Sequence, residues 1–349
     1  MPRVWDVPVH DSTRVRDARV AAERAATLAG LDEPRTAAAS LVATELATNL
    51  LKHAGGGQVL IDIIDVVAPP RAGGSRLVQI AAIDHGRGIT DVRAALRDGY
   101  STARSLGAGL GTCRRIADDF DLHSVPGRGT VALARVGARP REAAPAAAVR
   151  VGGVNVPFAG ADYSGDAWAW AWSGDRLTLM MADGLGHGPE AARASTAAAE
   201  ALHRSAHLSP SQALLQLDSA LRGTRGAAVA VAQVETGAGV LRFAGVGNIG
   251  ARLLEGGTWR SLLSRPGIVG VHKHATLRED RLPWAADRLL ILHSDGLPSR
   301  WTPPSDPRLL TADPAVVAAV TVRDASSSAR PVRDDTAVAV LAPTPPEAS

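Results

Sequence analysis

Two groups of residues in this chain are of types and spacings that handle phosphate. The first reads Glu45-x-x-x-Asn49, then Asp84-His85-Gly86-Arg87-Gly88, then Gly107-Ala108-Gly109-Leu110-Gly111. The second reads Ser164-Gly165-Asp166, Ala182-Asp183-Gly184-Leu185-Gly186-His187-Gly188, Ser294-Asp295-Gly296 and Arg333-Asp334-Asp335. A carboxylate and an amide one helical turn apart can hold Mg²⁺ and orient a nucleophile beside a triphosphate. Asp84, at the end of an apolar strand, can accept from an exocyclic amine such as adenine's, while Gly86 and Gly88 let the backbone approach the ring. The glycines at 107, 109 and 111 precede a helix, whose free N–H groups favour phosphate. In the second group Asp166, Asp183, Asp295 and Asp334 each fall at a strand end, and hard oxygen donors suit Mg²⁺ or Mn²⁺. Zinc spacing is absent, because Cys113 is the only cysteine. Taken singly, each fragment also reads as a solvated helix face or a plain Asp-Gly turn; order and strand-end placement are what join them. The first group suits adding a phosphoryl group, the second removing one.

Such residues need elements to position them. Val15–Ala29 repeats apolar positions at helical spacing and stops at Gly30; a second helix opens at Pro34 and runs to about His53. That helix would present Glu45, Asn49, Lys52 and His53 on one face, with Leu46 and Leu50 opposite. Runs at Val59–Val67 and Leu77–Ile83, separated by a turn at Pro69–Gly74, predict two strands. A short helix near Thr90–Arg97, a helix near Gly111–Phe120 and strands near Asp121–Val125 and Thr130–Val136 complete a layered α/β sandwich with a mixed sheet. Residues 138–148 lack apolar periodicity and predict a linker. The expected domains are therefore 1–137 and 149–343, with a disordered tail at 344–349. The second half is strand-rich, with hairpin turns at Ser173–Asp175, Thr236–Gly239 and Glu255–Gly257 and helices at Pro189–Ser205 and Ser209–Arg222, which predicts an α+β sandwich. Trp168, Trp170 and Trp172 alternate with alanine and share one strand face, a pattern of core or interface packing.

Composition narrows the functional classes. A chain of 349 residues with 46% hydrophobic content favours two soluble domains, each with its own core. No apolar run approaches the roughly 20 residues that cross a bilayer, and no apolar leader segment is present, so a cytoplasmic location is expected. A lone Cys113 agrees with a reducing compartment. The net charge is +3, Lys52 and Lys273 are the only lysines, and the cationic residues are dispersed. With two tyrosines and three phenylalanines there is no stacking platform, and nucleic-acid binding is set aside.

The first group resembles the Bergerat (GHKL) ATPase fold, and within it the RsbT-like serine kinases of anti-sigma regulation. Asp98–Gly111, Ile116–Asp121 and Gly127–Thr130 carry the likeness, which spans about residues 10–136. The resemblance implies that Glu45 acts as base or orienter, Asn49 binds Mg²⁺ and Asp84 reads adenine. Gly107, Gly109 and Gly111 with Thr130 would close on the phosphates of ATP, whose γ-phosphoryl passes to a serine or threonine of a STAS-domain partner. Such chemistry is mostly positioning and charge neutralisation.

Ala182–Gly188 resembles the SpoIIE/RsbX-like branch of metal-dependent (PPM-type) serine/threonine phosphatases, over about residues 150–342. Gly160–Asp166, Ala244–Asn248 and Arg333–Asp335 support it. That resemblance implies an αββα sandwich in which Asp183 bridges two Mn²⁺ or Mg²⁺ ions and the Gly184 carbonyl completes one shell. Asp295 and Asp334 would hold the other ion, and Asp166 would bind directly or through water. The ions would lower the pKa of a bridging water and clamp the phosphoryl oxygens for in-line attack. His187 is of the residue type that can protonate the leaving alkoxide, although the wider family places its acidic histidine nearer the aspartate; the alternative is a structural place at the start of the next helix. Ala337 departs from the usual Thr after the terminal aspartate pair, with Thr336 beside it.

Three readings follow. The leading one is a bifunctional regulator of a partner-switching pathway, kinase and phosphatase in one chain, acting on STAS-domain anti-sigma antagonists or stressosome scaffolds. The second makes the first domain an ATP sensor that transfers nothing. The third makes it an anti-sigma protein that docks a sigma factor. A homodimer is left open.

Overall fold

The computed structural model describes residues 3–66, 75–96, 109–138, 148–272, 277–326 and 332–345. The chain divides into two compact units, one of Arg3–Val66 with Ser75–Ala144 and one of Pro145–Ser349. The expected turn at Pro69–Gly74, most of the 138–148 segment and residues 346–349 lie outside the described residues. Thr344, the first residue of the expected tail, donates its N–H to the Ala148 carbonyl at 3.1 Å. No helix among the described residues is long and apolar enough to cross a membrane.

The first unit runs β1 (Trp5–Val9), α1 (Ser12–Ala29), α2 (Glu33–Asn49), β2 (Gly57–Val66), β3 (Ser75–Ile83), α3 (Val92–Ala95), α4 (Leu110–Ile116), β4 (Asp119–Val125) and β5 (Gly129–Gly137). Its helices begin where side chains can take the orphan N–H groups: Asp11 accepts from Thr13 and Arg14, and Asp32 from Arg35. Gly30 stops α1 in the left-handed region at φ 77°. Ala18, Ala21, Ala22, Ala25 and Ala26 give α1 a small-residue stripe, and Ala39, Val42, Ala43 and Leu46 give α2 its apolar one. Both bury against Val59, Ile61, Val78, Ile80, Ala132 and Ala134 of the sheet.

Two expectations need correction here. The sheet, in order β1-β2-β3-β5-β4, is antiparallel throughout rather than mixed. The hairpins β2–β3 and β4–β5 supply two of the pairs, and β5 inserts between β3 and β4. The second helix does not continue regularly to His53: it passes at Leu50 into a π turn, Leu50–Ala54, closed by Gly55 at φ 75°. The wider turn alters the angular step to Lys52 and His53, but Lys52 stays near enough to Glu45 to act on its carboxyl. The helix near Thr90–Arg97 is a single turn among the described residues.

The face of this sheet turned away from the helices carries Asp62, opposite Gln79 in register, and Gln79 in turn accepts from Arg135 at 3.0 Å. Burial pushes the Asp62 carboxyl up to about 7, against the one N–H it accepts from Ile63 at 2.7 Å. A carboxyl with a raised folded-state pKa stabilises fully below its unfolded value near 3.8, and that contribution is lost as pH rises towards 7. Asp62→Asn is therefore expected to raise stability at pH 8 by up to about 4 kcal/mol and to flatten the decline between pH 4 and 7. Urea melts of both proteins across that range measure it; equal pH profiles would contradict it.

The second unit runs β6 (Val149–Val156), β7 (Asp166–Ser173), β8 (Arg176–Gly184), α5 (Pro189–Ser205), α6 (Pro210–Leu221), β9 (Ala227–Glu235), β10 (Val240–Val246), β11 (Gly250–Glu255), β12 (Thr258–Leu262), β13 (Asp280–Pro283), β14 (Leu289–His293), α7 (Pro314–Ala325) and β15 (Thr336–Pro343). Two five-stranded antiparallel sheets form, β13-β10-β9-β8-β7 and β12-β11-β14-β15-β6. Their inner faces bury Leu177, Leu179, Met181, Phe243, Leu253, Leu290, Leu292 and Leu341 together. Met180, Val229 and Val231 turn the other way, onto Leu202, Leu214 and Leu217 of α5 and α6. Helix α7 covers β6 and β15 on the outside of the second sheet, giving the expected αββα layering. The three tryptophans of β7 pack against the inter-sheet core, as their alternation predicts. Trp168 comes so close to β6 that a Cβ on Gly153 would stand 2.8 Å from its ring.

Candidate functional site

In the second unit, strand pairing gathers the aspartates. Asp166, the first residue of β7, lies directly opposite Asp183 near the end of β8. Asp295 follows β14 and Asp334 precedes β15, neighbouring strands of the other sheet, so all four come from the same end of the sandwich. Ser294 ties the two strands: its N–H donates to the Ala337 carbonyl at 3.1 Å, and its Oγ accepts from the Ala337 N–H at 2.9 Å. Gly184 has α5 laid across it, and a Cβ there would run into the Ala191 carbonyl. His187 is exposed, ahead of Gly188 at the start of α5.

Electrostatics mark this cluster as strained by like charge. Asp166 is held well above the ordinary carboxylate range by burial and by Asp183, although Ser294 bonds it. Asp183 is raised by burial and then by Asp295, Asp334 and Asp335; it also shares a hydrogen bond with Asp295. Asp295 is raised by burial and by Asp334, against the Asn248 amide that donates to its Oδ2 at 2.7 Å. Such carboxylates are relieved by protons or by a cation. A divalent cation fits on two counts: among the described residues the buried Asp166 Oδ2 has no hydrogen-bond partner, and the donors are oxygens throughout. Among the described residues no three His, Cys, Asp or Glu side chains converge closely enough to ligate an ion alone. Backbone carbonyls such as that of Gly184, and water, would complete the shells, as is usual for Mg²⁺.

Three residues outside the expected site set belong to it. Asp335 accepts from the Phe158 N–H at 2.8 Å and the Gly165 N–H at 2.7 Å, fastening the 158–165 segment beside Asp166. Asn248 and Ser294 orient Asp295 and Asp166 as described. All three stand inside the quoted motifs, but their role as orienters depends on partners far away in sequence.

In the first unit, Glu45 and Asn49 lie one turn apart on α2. Glu45 is raised by burial, partly offset by Lys52, and it helps burial push the adjacent Cys113 thiol up to about 12. Gly109 at the start of α4 faces Asn49, whose Oδ1 would be 3.6 Å from a Cβ placed there. Among the described residues the buried Asn49 Nδ2 has no hydrogen-bond partner. The structure thus brings Glu45, Asn49, Gly109 and Gly111 together at the α2–α4 contact.

Asp84 is buried just past β3, its N–H donating to the Thr130 carbonyl at 2.9 Å. Its Oδ1 accepts from Gly86 at 2.8 Å and Thr130 at 3.2 Å, which fixes the carboxylate. Thr130 Oγ1 lies 2.9 Å from Ser124 Oγ. Gly86 is needed because a Cβ would stand 2.7 Å from Ala54, and Gly88 because its φ is 71°. Gly107 lies outside the described residues. His53, near Arg87 and Lys52, is lowered by burial and by both cations, so positive charge collects beside the π turn.

Comparison with known proteins agrees with this division. Residues 9–135 match the model of the histidine kinase-like ATPase domain, and residues 173–343 match that of stage II sporulation protein E (SpoIIE). Serine/threonine-protein kinase RsbT of Bacillus subtilis (strain 168) is 41% identical over 87 residues, 25% of this chain and 61% of the relative. The chain thus spans about three fifths of that curated relative. A chain from the bacterial stressosome, described as a modular system adapted to control secondary messenger signalling, is 28% identical, covers 55% of this chain and 98% of its own, and has a TM-score of 0.48. The phosphatase domain of SpoIIE from Bacillus subtilis, with a fragment of its regulatory domain, is 16% identical, covers 96% and 98%, and also has a TM-score of 0.48.

Proposed function

We propose that this chain, which joins a histidine kinase-like ATPase domain to a SpoIIE-family phosphatase domain, is a bifunctional partner-switching regulator. The observation that carries the reading is the gathering of Asp166, Asp183, Asp295 and Asp334 at one end of the second sandwich, all of them oxygen donors, with the first three raised by burial and by neighbouring carboxylates. Divalent manganese or magnesium bound there supplies an acidified water and charge neutralisation for the phosphoryl group. Asp183 and Asp295 hold the cations, Asn248 and Ser294 orient carboxylates, and Asp335 keeps the 158–165 segment at the rim. The substrate is phosphoserine or phosphothreonine on a STAS-domain protein. His187, exposed in the turn after β8, is free to reach a leaving alkoxide.

In the first unit, Asn49 holds Mg²⁺ of ATP, Glu45 serves as base or orienter with its carboxyl already raised, and Asp84 reads adenine. Gly109, Gly111 and Thr130, with Gly107, close on the phosphates, and the γ-phosphoryl passes to the same class of STAS-domain protein. The buried Asn49 side chain facing Gly109 supports this reading. The full chain, given manganese and a phosphoserine STAS-domain protein, is expected to release phosphate, and chelation by EDTA to stop it. A metal-independent rate would contradict the assignment.

A further inference from the structure

Arg225 lies in the connection between α6 and β9, exposed, and among the described residues its guanidinium makes no ion pair or hydrogen bond. Other arginines of this unit behave differently: Arg222 pairs with Asp218 at 3.3 Å, and Arg242 with Glu235 at 2.8 Å and Glu279 at 2.9 Å. Arg225 Nη1 instead stands 3.0 Å from the position a Cβ on Gly186 would take. Gly186 belongs to the turn that leaves Asp183. Its carbonyl oxygen is 3.5 Å from the Cβ position of Gly165, the residue whose N–H holds Asp335. The guanidinium therefore lies against the turn that leaves Asp183.

The backbone on either side of Arg225 is pinned. Leu185 donates to the Gly226 carbonyl at 3.0 Å, which joins this connection to the Asp183 turn. Thr224 Oγ1 accepts from the Gly226 N–H at 3.0 Å and donates to the Leu221 carbonyl at 2.7 Å. An arginine serving stability would pair with a carboxylate, as Arg222 does with Asp218. This one keeps its donors, and a planar fork of donors matches phosphoryl oxygens.

We propose that Arg225 is a substrate-binding residue that holds a non-bridging oxygen of the incoming phosphoserine or phosphothreonine, an inference that rests on the phosphatase reading. The metals would neutralise charge on one side of the phosphoryl group, and Arg225 would meet it from the side of the 184–186 turn. Because the contact is made in the ground state as well as later, its loss falls on KM more than on kcat.

The test uses the full chain with manganese, p-nitrophenyl phosphate as substrate and inorganic phosphate as ligand, the latter titrated calorimetrically. Arg225→Ala is expected to raise KM and the phosphate Kd about ten- to a hundredfold, with manganese affinity unchanged. Arg225→Lys should recover part of the loss, because it restores the charge but not the fork. If the wild type turns over and Arg225→Ala leaves KM and phosphate Kd within about twofold, the inference falls and the phosphatase reading stands. Weakened manganese binding with unchanged phosphate Kd would also overturn it, by giving Arg225 a structural role. A wild-type chain without manganese-dependent turnover removes the phosphatase reading and the inference together.

Discussion

Asp183→Asn is expected to lower manganese-dependent release of phosphate from a phosphoserine protein by about a thousandfold or more, while leaving nucleotide binding by the first unit intact. The carboxylate faces Asp166 across the β7–β8 ladder and shares a hydrogen bond with Asp295, so it is the member that touches both sheets' contributions. Asn keeps the shape and one oxygen but removes the charge that would join two cations. The fold should not suffer. Asp183 carries its negative charge against burial and three other aspartates, so neutralising it removes an unfavourable term. A phosphate-release assay with a thermal melt on the same preparation separates the outcomes: lost turnover with an unchanged or raised Tm is expected. Unchanged turnover would remove the metal assignment.

Asn49→Ala is expected to cost about a hundredfold or more in ATP-dependent transfer of phosphate to a STAS-domain protein, followed with labelled ATP on the full chain. Its amide is buried beside Gly109, and among the described residues its Nδ2 has no hydrogen-bond partner, so the fold described here does not use the side chain. Alanine leaves neither a ligand oxygen nor a donor there. Nucleotide that binds to the wild type without any transfer would instead favour the ATP-sensor reading. Co-purification of a sigma factor through the first unit would favour the anti-sigma reading.

Much of this was legible because the periodicities were strong. The alanine stripe of α1, the αL glycine at 30, the hairpin turns of the second unit and the alternation of Trp168, Trp170 and Trp172 each have one physical solution, and the chain adopts it. Strand-end aspartates were visible as Asp-Gly pairs after apolar runs. Other features were not. β1 is only five residues long and contains Pro8, which argues against a strand unless the strand lies at a sheet edge, as this one does. Helix α7 is buried from Pro314 through Arg323, so it lacks the polar face that makes a helix readable. The π turn at Leu50–Ala54 depends on how Gly55 and Gly56 leave the helix, and strand direction depends on connections rather than on residue type. Asp335 and Arg225 act through residues about 170 and 40 positions away, and no local spacing encodes that.

Intact-mass measurement of phosphoserine occupancy on one STAS-domain protein, incubated with the full chain, ATP, Mg²⁺ and Mn²⁺, tests most directly whether opposing phosphoryl chemistries share this polypeptide. The wild type should bring occupancy to an intermediate plateau reached from both the phosphorylated and the unphosphorylated substrate. Asp183→Asn should drive it towards full occupancy, and Asn49→Ala towards none. A plateau that neither substitution moves would contradict the two-site assignment.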